Sequence, residues 1–233
     1  NFNLSSMPVQ LDYLFSLYKD DIRSLVDSGV SVDENIALLW NNYSSPFTYE
    51  SSRSVSPLLD CNWNQDSPWN NMCPIDTNGP GGNVYSGCVA VSMVQIMYYW
   101  GYPEVGFGSH GYNAGGYGYQ FADFGNAFYD YDNMEDNFAT EATQLLMYHA
   151  GVAVNMGYSP DGSGASVMGG SNSAYSAMKN YFIFDHSMSR VYPENYSSVQ
   201  YRQILQSDLD INQPIIYVGY DNEGGHAWNI DGY

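Results

Sequence analysis

Thirteen residues from Cys88 to Trp100, CVAVSMVQIMYYW, constrain this chain more than any others. Val89, Ala90, Val91, Met93, Val94, Ile96 and Met97 spread around nearly the whole circumference of a helix, and a helix apolar on every side must be buried. Gly87 precedes the stretch, and Gly101 and Pro103 end it. It is shorter than the roughly 18 apolar residues a bilayer span takes, and it contains Ser92 and Gln95. The segment therefore reads as the core helix of a globular domain.

A chain of 233 residues, 44% of them apolar, can enclose such a core. Its 25 acidic residues against 6 basic ones give a formal charge of −19, which disfavours nucleic acid and anionic membrane surfaces as partners. Lysine occurs only at Lys19 and Lys179, so surface polarity falls to Asn, Ser, Tyr and Asp, and the expectation is a secreted or cell-surface protein. The sequence begins at Asn1 without a basic-plus-apolar leader, and the expectation is that one has been removed or was never included. Three cysteines suit one disulfide and one free thiol in an oxidising compartment. Cys61 and Cys73 are close in sequence and are the expected pair, leaving Cys88 free.

Residues 1–54 differ from the remainder, 55–233. Leu11, Leu14, Phe15, Tyr18, Ile22 and Leu25 form an apolar stripe over Pro8 to Val26, with Asp12, Lys19, Asp20 and Arg23 largely off it. A second short helix is expected from Asp33 to Trp40, with Ser31 and Glu34 at capping-box spacing. Asn41 to Pro57 is Ser-rich and polar, an exposed linker suited to proteolysis. Beyond Trp100, the Gly- and Tyr-rich run Phe107 to Phe121 is expected as a long loop. A helix is expected from Asp136 or Asn137 to about Ala150, stopped by Gly151, and another from Ser173 to Tyr181. Pro214 to Tyr220 and His226 to Ile230 read as strands around a turn. With helices first and strands last, the class is α+β.

Cys88 is the strongest chemical candidate. A thiol in the first turn of a helix faces unpaired amides and the positive end of the dipole, and ionises more readily there. Gly87 lets a substrate backbone approach closely. Of the four histidines, His149 suits a helix-end role, and nothing converges on His110 or His186. His226 opens a strand, GGHAWNIDGY, where Gly224 and Gly225 leave room beside the imidazole for a substrate. The Cys88 N–H is one candidate oxyanion donor and the Gln65 side-chain amide a second, although Gln65 by itself reads as an ordinary solvated residue. No C-x2-C or H-E-x-x-H spacing occurs, so neither metal nor cofactor is expected.

The order WNQ, SGCVAVSMVQIMYYWGYP and GGHAWNIDGY resembles the streptopain family of cysteine peptidases, with its papain-like fold. Pro57-Leu58-Leu59, Ser67-Pro68-Trp69-Asn70, Tyr129 to Met134 and Gly151 to Tyr158 agree with it. The resemblance implies a buried helix bearing a nucleophile, Cys88, packed against a C-terminal antiparallel sheet bearing a general base, His226. It places Gln65 in the oxyanion region, and Gly162, Ser163 and Gly164 in a loop bordering the substrate cleft. It implies protein or peptide substrates, secretion as a zymogen, and residues 1–54 as the end of a propeptide acting as intramolecular inhibitor. In that family a later strand pair orients and shields the histidine. Here the sequence stops at Tyr233, so the sheet is expected to lack its last strands, and Trp228 and Asn229 are expected not to substitute. The rival reading is an inactive papain-like scaffold that binds a glycan or protein through its Tyr/Gly-rich loops.

Overall fold

A computed structural model describes residues 54–220 and 224–233, together with Lys19, Asp20, Arg23, Ser24 and Asp27. The chain divides into two compact units, 1–53 and 54–233. In the first, the five described residues are helical and exposed, and Arg23 and Asp20 form a surface ion pair at 3.6 Å. That is the polar face expected of the Pro8–Val26 helix. The Asp33–Trp40 helix and most of the expected linker lie outside the described residues.

The second unit is built around α1 (Cys88–Trp100). Its Val89, Ala90, Met93, Val94, Ile96 and Met97 are all buried, as the all-round apolar pattern requires. Gly101 ends it in the left-handed conformation, φ 54°, its N–H turned back to the Tyr98 carbonyl. Around α1 pack α2 (Glu141–Ala153), α3 (Ala174–Asn180) and a C-terminal hairpin of β3 (Ile215–Tyr220) and β4 (Gly225–Ile230). A second antiparallel hairpin, β1 (Ser109–Asn113) with β2 (Tyr119–Asp123), covers α2, and α4 (Ser198–Leu209) lies beside β3. Helices and antiparallel pairs are thus assembled on one core, the α+β class.

Several local expectations change. The Phe107–Phe121 region holds most of a hairpin, not a loop. Tyr is a good strand former, and at Gly111 the missing side chain admits the ring of Tyr119 from the facing strand. Helix α2 starts at Glu141 because Asp136 is engaged elsewhere, accepting from the Asn62 N–H and the Tyr98 hydroxyl. Thr140 instead caps α2 through the Thr143 N–H. Gly151 does not stop that helix; it lies inside it, where a Cβ would sit 2.6 Å from the Tyr158 hydroxyl. Helix α4 was not expected, although Ser197 and Gln200 form a complete capping box at its start. The last residues of the expected linker are tied down: Val55 exchanges both backbone hydrogen bonds with Tyr233, each 3.0 Å.

His149 also departs from its expected helix-end role. It is 8% exposed, shares a 3.0 Å hydrogen bond with the Tyr129 hydroxyl, and meets Phe124 edge-on. Burial pushes its pKa down to about 4, opposed weakly by Asp123. The unfolded chain therefore binds the extra proton first, and the stability linked to this neutral ring is lost as pH falls from about 6.5 towards 4. Urea unfolding of the wild type and of His149→Gln at a series of pH values should diverge across that window by about 3 kcal/mol. Parallel curves would contradict the burial argument.

Candidate active site

The residue before α1 fixes the site. Gly87 is buried with φ 90°, a conformation costly for any residue bearing a Cβ. A Cβ there would lie 2.9 Å from the Ser163 carbonyl oxygen and 2.7 Å from the Met156 sulfur. The glycine thus lets the 156–164 loop press directly against the start of the helix, rather than leaving an open approach. Cys88 follows, half-buried, in a first turn that no side chain caps.

Strand β4 comes to this helix start. The Ala227 N–H donates to Cys88 Sγ at 3.4 Å across 139 residues of sequence. The Cα of His226 is two covalent bonds from that nitrogen, so it lies within about 6 Å of the sulfur. Chain segments far apart in sequence therefore place the thiol and the imidazole-bearing residue side by side. One turn further along α1, Asn229 Nδ2 donates to the Ser92 carbonyl at 3.1 Å and to Gln95 Oε1 at 3.0 Å. Gln95 Nε2 in turn reaches the Cys61 carbonyl at 3.3 Å, and the Ser92 hydroxyl donates to the Cys88 carbonyl at 3.0 Å. These bonds hold β4, α1 and the segment before it in one register.

His226 and Trp228 share the outer face of the hairpin, as alternation demands, and their rings lie nearly parallel, with centroids 6.3 Å apart. Trp228 thus lies beside the imidazole on that face, while Asn229 points the other way and serves the helix. At Gly225 the space a Cβ would fill is occupied by the Tyr220 ring, 2.6 Å away, so this glycine accommodates its cross-strand partner and not an open pocket.

Gln65 is anchored two residues before the thiol. Its carbonyl accepts from the Ser86 N–H at 2.9 Å and from the Ser86 hydroxyl at 3.2 Å. Nearby, Trp63 packs on Tyr98 and donates its indole N–H to the Glu135 carbonyl. On the other side, Gly157 and Gly164 exchange backbone hydrogen bonds, and the buried Ser163 hydroxyl accepts from the Ser159 N–H. Gly162 and Gly164 stay exposed, with nothing near their missing side chains. Thus Gln65, Gly87, Cys88, the 162–164 loop and His226 are gathered at one helix end.

The expected Cys61–Cys73 disulfide is absent: all three cysteines are thiols. Cys61 sits by Gln95 and Asp136, whereas Cys73 sits by Tyr158, and burial pushes both thiols up to about 12. His110, on β1, has a partner after all: Asn155 Oδ1 at 2.6 Å, just past the end of α2. Among the described residues no three His, Cys, Asp or Glu side chains form a group able to hold a metal. A cavity of about 840 Å³ opens between α1, α3, α4 and β3, but no candidate site residue lines it.

Asn229 was missed as a contributor, although a polar residue alternating with Ala227 on a buried strand face is a readable signal. Asn229→Ala removes the donor shared by Ser92 and Gln95 and should lower unfolding free energy by about 1–3 kcal/mol in urea titration. Asn229→Asp, which presents only acceptors to those acceptors, should lose at least as much. Wild-type stability in both variants would contradict the strut.

Comparison with known proteins places these features. Streptopain from Streptococcus pyogenes serotype M28 is 28% identical, over 92% of this chain and 58% of its own length. The thiol protease/hemagglutinin PrtT of Porphyromonas gingivalis is 26% identical, over 77% of this chain and 22% of its own length. The chain thus spans little more than half the length of the streptopain it matches. Among solved structures, active interpain A cysteine protease of Prevotella intermedia superposes with a TM-score of 0.68 at 35% identity, covering 77% of each chain. A prointerpain A fragment superposes with a TM-score of 0.69 at 29% identity, covering 96% of this chain and 69% of its own. The fold is accordingly papain-like, and because residues 63–233 match the peptidase C10 family, the chain belongs to that family.

Proposed function

We propose that this chain is a secreted cysteine endopeptidase in a proenzyme-like form, acting on proteins through a Cys88/His226 pair. The observation that carries the reading is the Ala227 N–H on Cys88 Sγ, which sets the thiol against the residue next to His226. Cys88 attacks the scissile carbonyl, and His226 protonates the leaving amine. Water, deprotonated by His226, then releases the acyl group and restores the thiol. The Cys88 N–H and the Gln65 side-chain amide stabilise the oxyanion, each worth about 3 kcal/mol of barrier by the standard of single-donor deletions. Gly162, Ser163 and Gly164 border the cleft, where exposed glycines let a peptide backbone lie close.

The proenzyme reading is supported by coverage: the pro-form of interpain A aligns with 96% of this chain, the active form with 77%. The difference is close to the extent of residues 1–53, the segment proposed as an inhibitory propeptide. Secretion is supported by the lysine-poor, acidic composition.

Cys88 is half-buried, whereas Cys61 and Cys73 are enclosed and hard to ionise, so iodoacetamide on the folded protein should modify Cys88 alone. Peptide mapping by mass spectrometry reads this. Casein hydrolysis by protein cleaved between residues 41 and 57 should be blocked by a thiol-directed epoxide and fall at least about 1,000-fold in Cys88→Ala and His226→Gln. Full activity in either variant would overturn the proposal.

A further inference from the structure

We infer that Trp228 is a positioning residue for His226, an inference that rests on the Cys88/His226 reading above. The register sets Gly219 directly opposite His226 and Tyr217 directly opposite Trp228. All four lie on the same face of the β3–β4 hairpin, the face turned away from α1. A Cβ on Gly219 would fall 2.7 Å from the far edge of the indole. The Trp228 ring therefore lies across the β3 backbone in the space that the glycine leaves open. The Tyr217 ring packs on it at 5.1 Å, and the His226 ring stands 6.3 Å away at an interplanar angle of 21°. Both separations fall within the range of interacting aromatic pairs.

The indole thus acts as a wedge. Gly219 and Tyr217 fix where it lies, and it in turn occupies the volume into which the imidazole would otherwise swing along the strand. The swing left to His226 is the one past the edge of β4, where the Ala227 N–H meets the sulfur. Trp228 is 40% exposed and faces outward. Its loss therefore takes little from the core, and orientation rather than burial is what it supplies to its neighbour.

The test compares wild type, Trp228→Leu, Trp228→Phe and His226→Gln in two measurements on the full chain. The first is the ratio of the alkylation rates of Cys88 by iodoacetate and by iodoacetamide. A positively charged imidazole beside the sulfur favours the anionic reagent, so the ratio reads how well the pair is aligned, whether or not peptides are cleaved. Trp228→Leu should move the ratio most of the way to the His226→Gln value, and Trp228→Phe, which keeps a flat ring, should restore it. The second is peptide hydrolysis after cleavage of the linker: Trp228→Leu should lower kcat by about 10–100-fold with KM within about threefold, the pattern of a misplaced catalytic group. A Trp228→Leu ratio equal to wild type overturns the inference. So does an equal loss in the Phe and Leu variants accompanied by a lowered melting temperature, since that marks a merely structural ring. If wild type and His226→Gln give the same ratio, the Cys88/His226 reading itself fails and takes this one with it.

Discussion

The whole arrangement depends on the edge of one strand lying against the first turn of one helix. Ala227 offers its N–H to the Cys88 sulfur, and two residues on, Asn229 offers both amide hydrogens to Ser92 and Gln95 along the same helix. Because strand residues two apart face the same way, these contacts share a single register. A slip of one residue would turn Ala227 and Asn229 outward and His226 inward. The polar strut therefore fixes which face of β4 the imidazole occupies, and α1, buried over most of its surface, is the rigid member to which it is fixed.

Glycine carries much of the remaining geometry, in roles set by what presses against it. Gly87 lets the Ser163 carbonyl and Met156 reach the helix start, Gly225 receives the Tyr220 ring, and Gly219 receives the indole of Trp228. In each case the missing side chain is filled by a neighbour and not by solvent. Gly162 and Gly164, by contrast, are exposed with nothing near their missing side chains, as is Gly224 two residues before His226. A row of glycines near a reactive residue thus divides into those that pack and those that admit.

Much of this was legible in the chain itself. The bounds of α1 followed from its unbroken apolar surface and flanking glycines, and the β3–β4 pair followed from a β-branched run and an alternating one. What stayed hidden was governed by partners distant in sequence. The β1–β2 hairpin is masked by a glycine-rich run, in which Gly111 admits the Tyr119 ring. The start of α2 is displaced because Asn62 and Tyr98 claim Asp136. The disulfide expectation rested on sequence proximity alone, while Cys61 and Cys73 sit in separate surroundings, beside Gln95 and Tyr158. Cys88, His226 and Gln65 were singled out through their motifs. Asn229 and Trp228 were not, because their value lies in which face of β4 each occupies and what the adjoining element presents to it.

The most direct test of the central claim is contact between the sulfur and the imidazole in solution. Histidine ring resonances followed by NMR before and after carboxamidomethylation of Cys88 would report it. The account predicts the largest displacement at His226, with the buried ring of His149 and the Asn155-bonded ring of His110 nearly unmoved. A His226 resonance indifferent to the modification would contradict it.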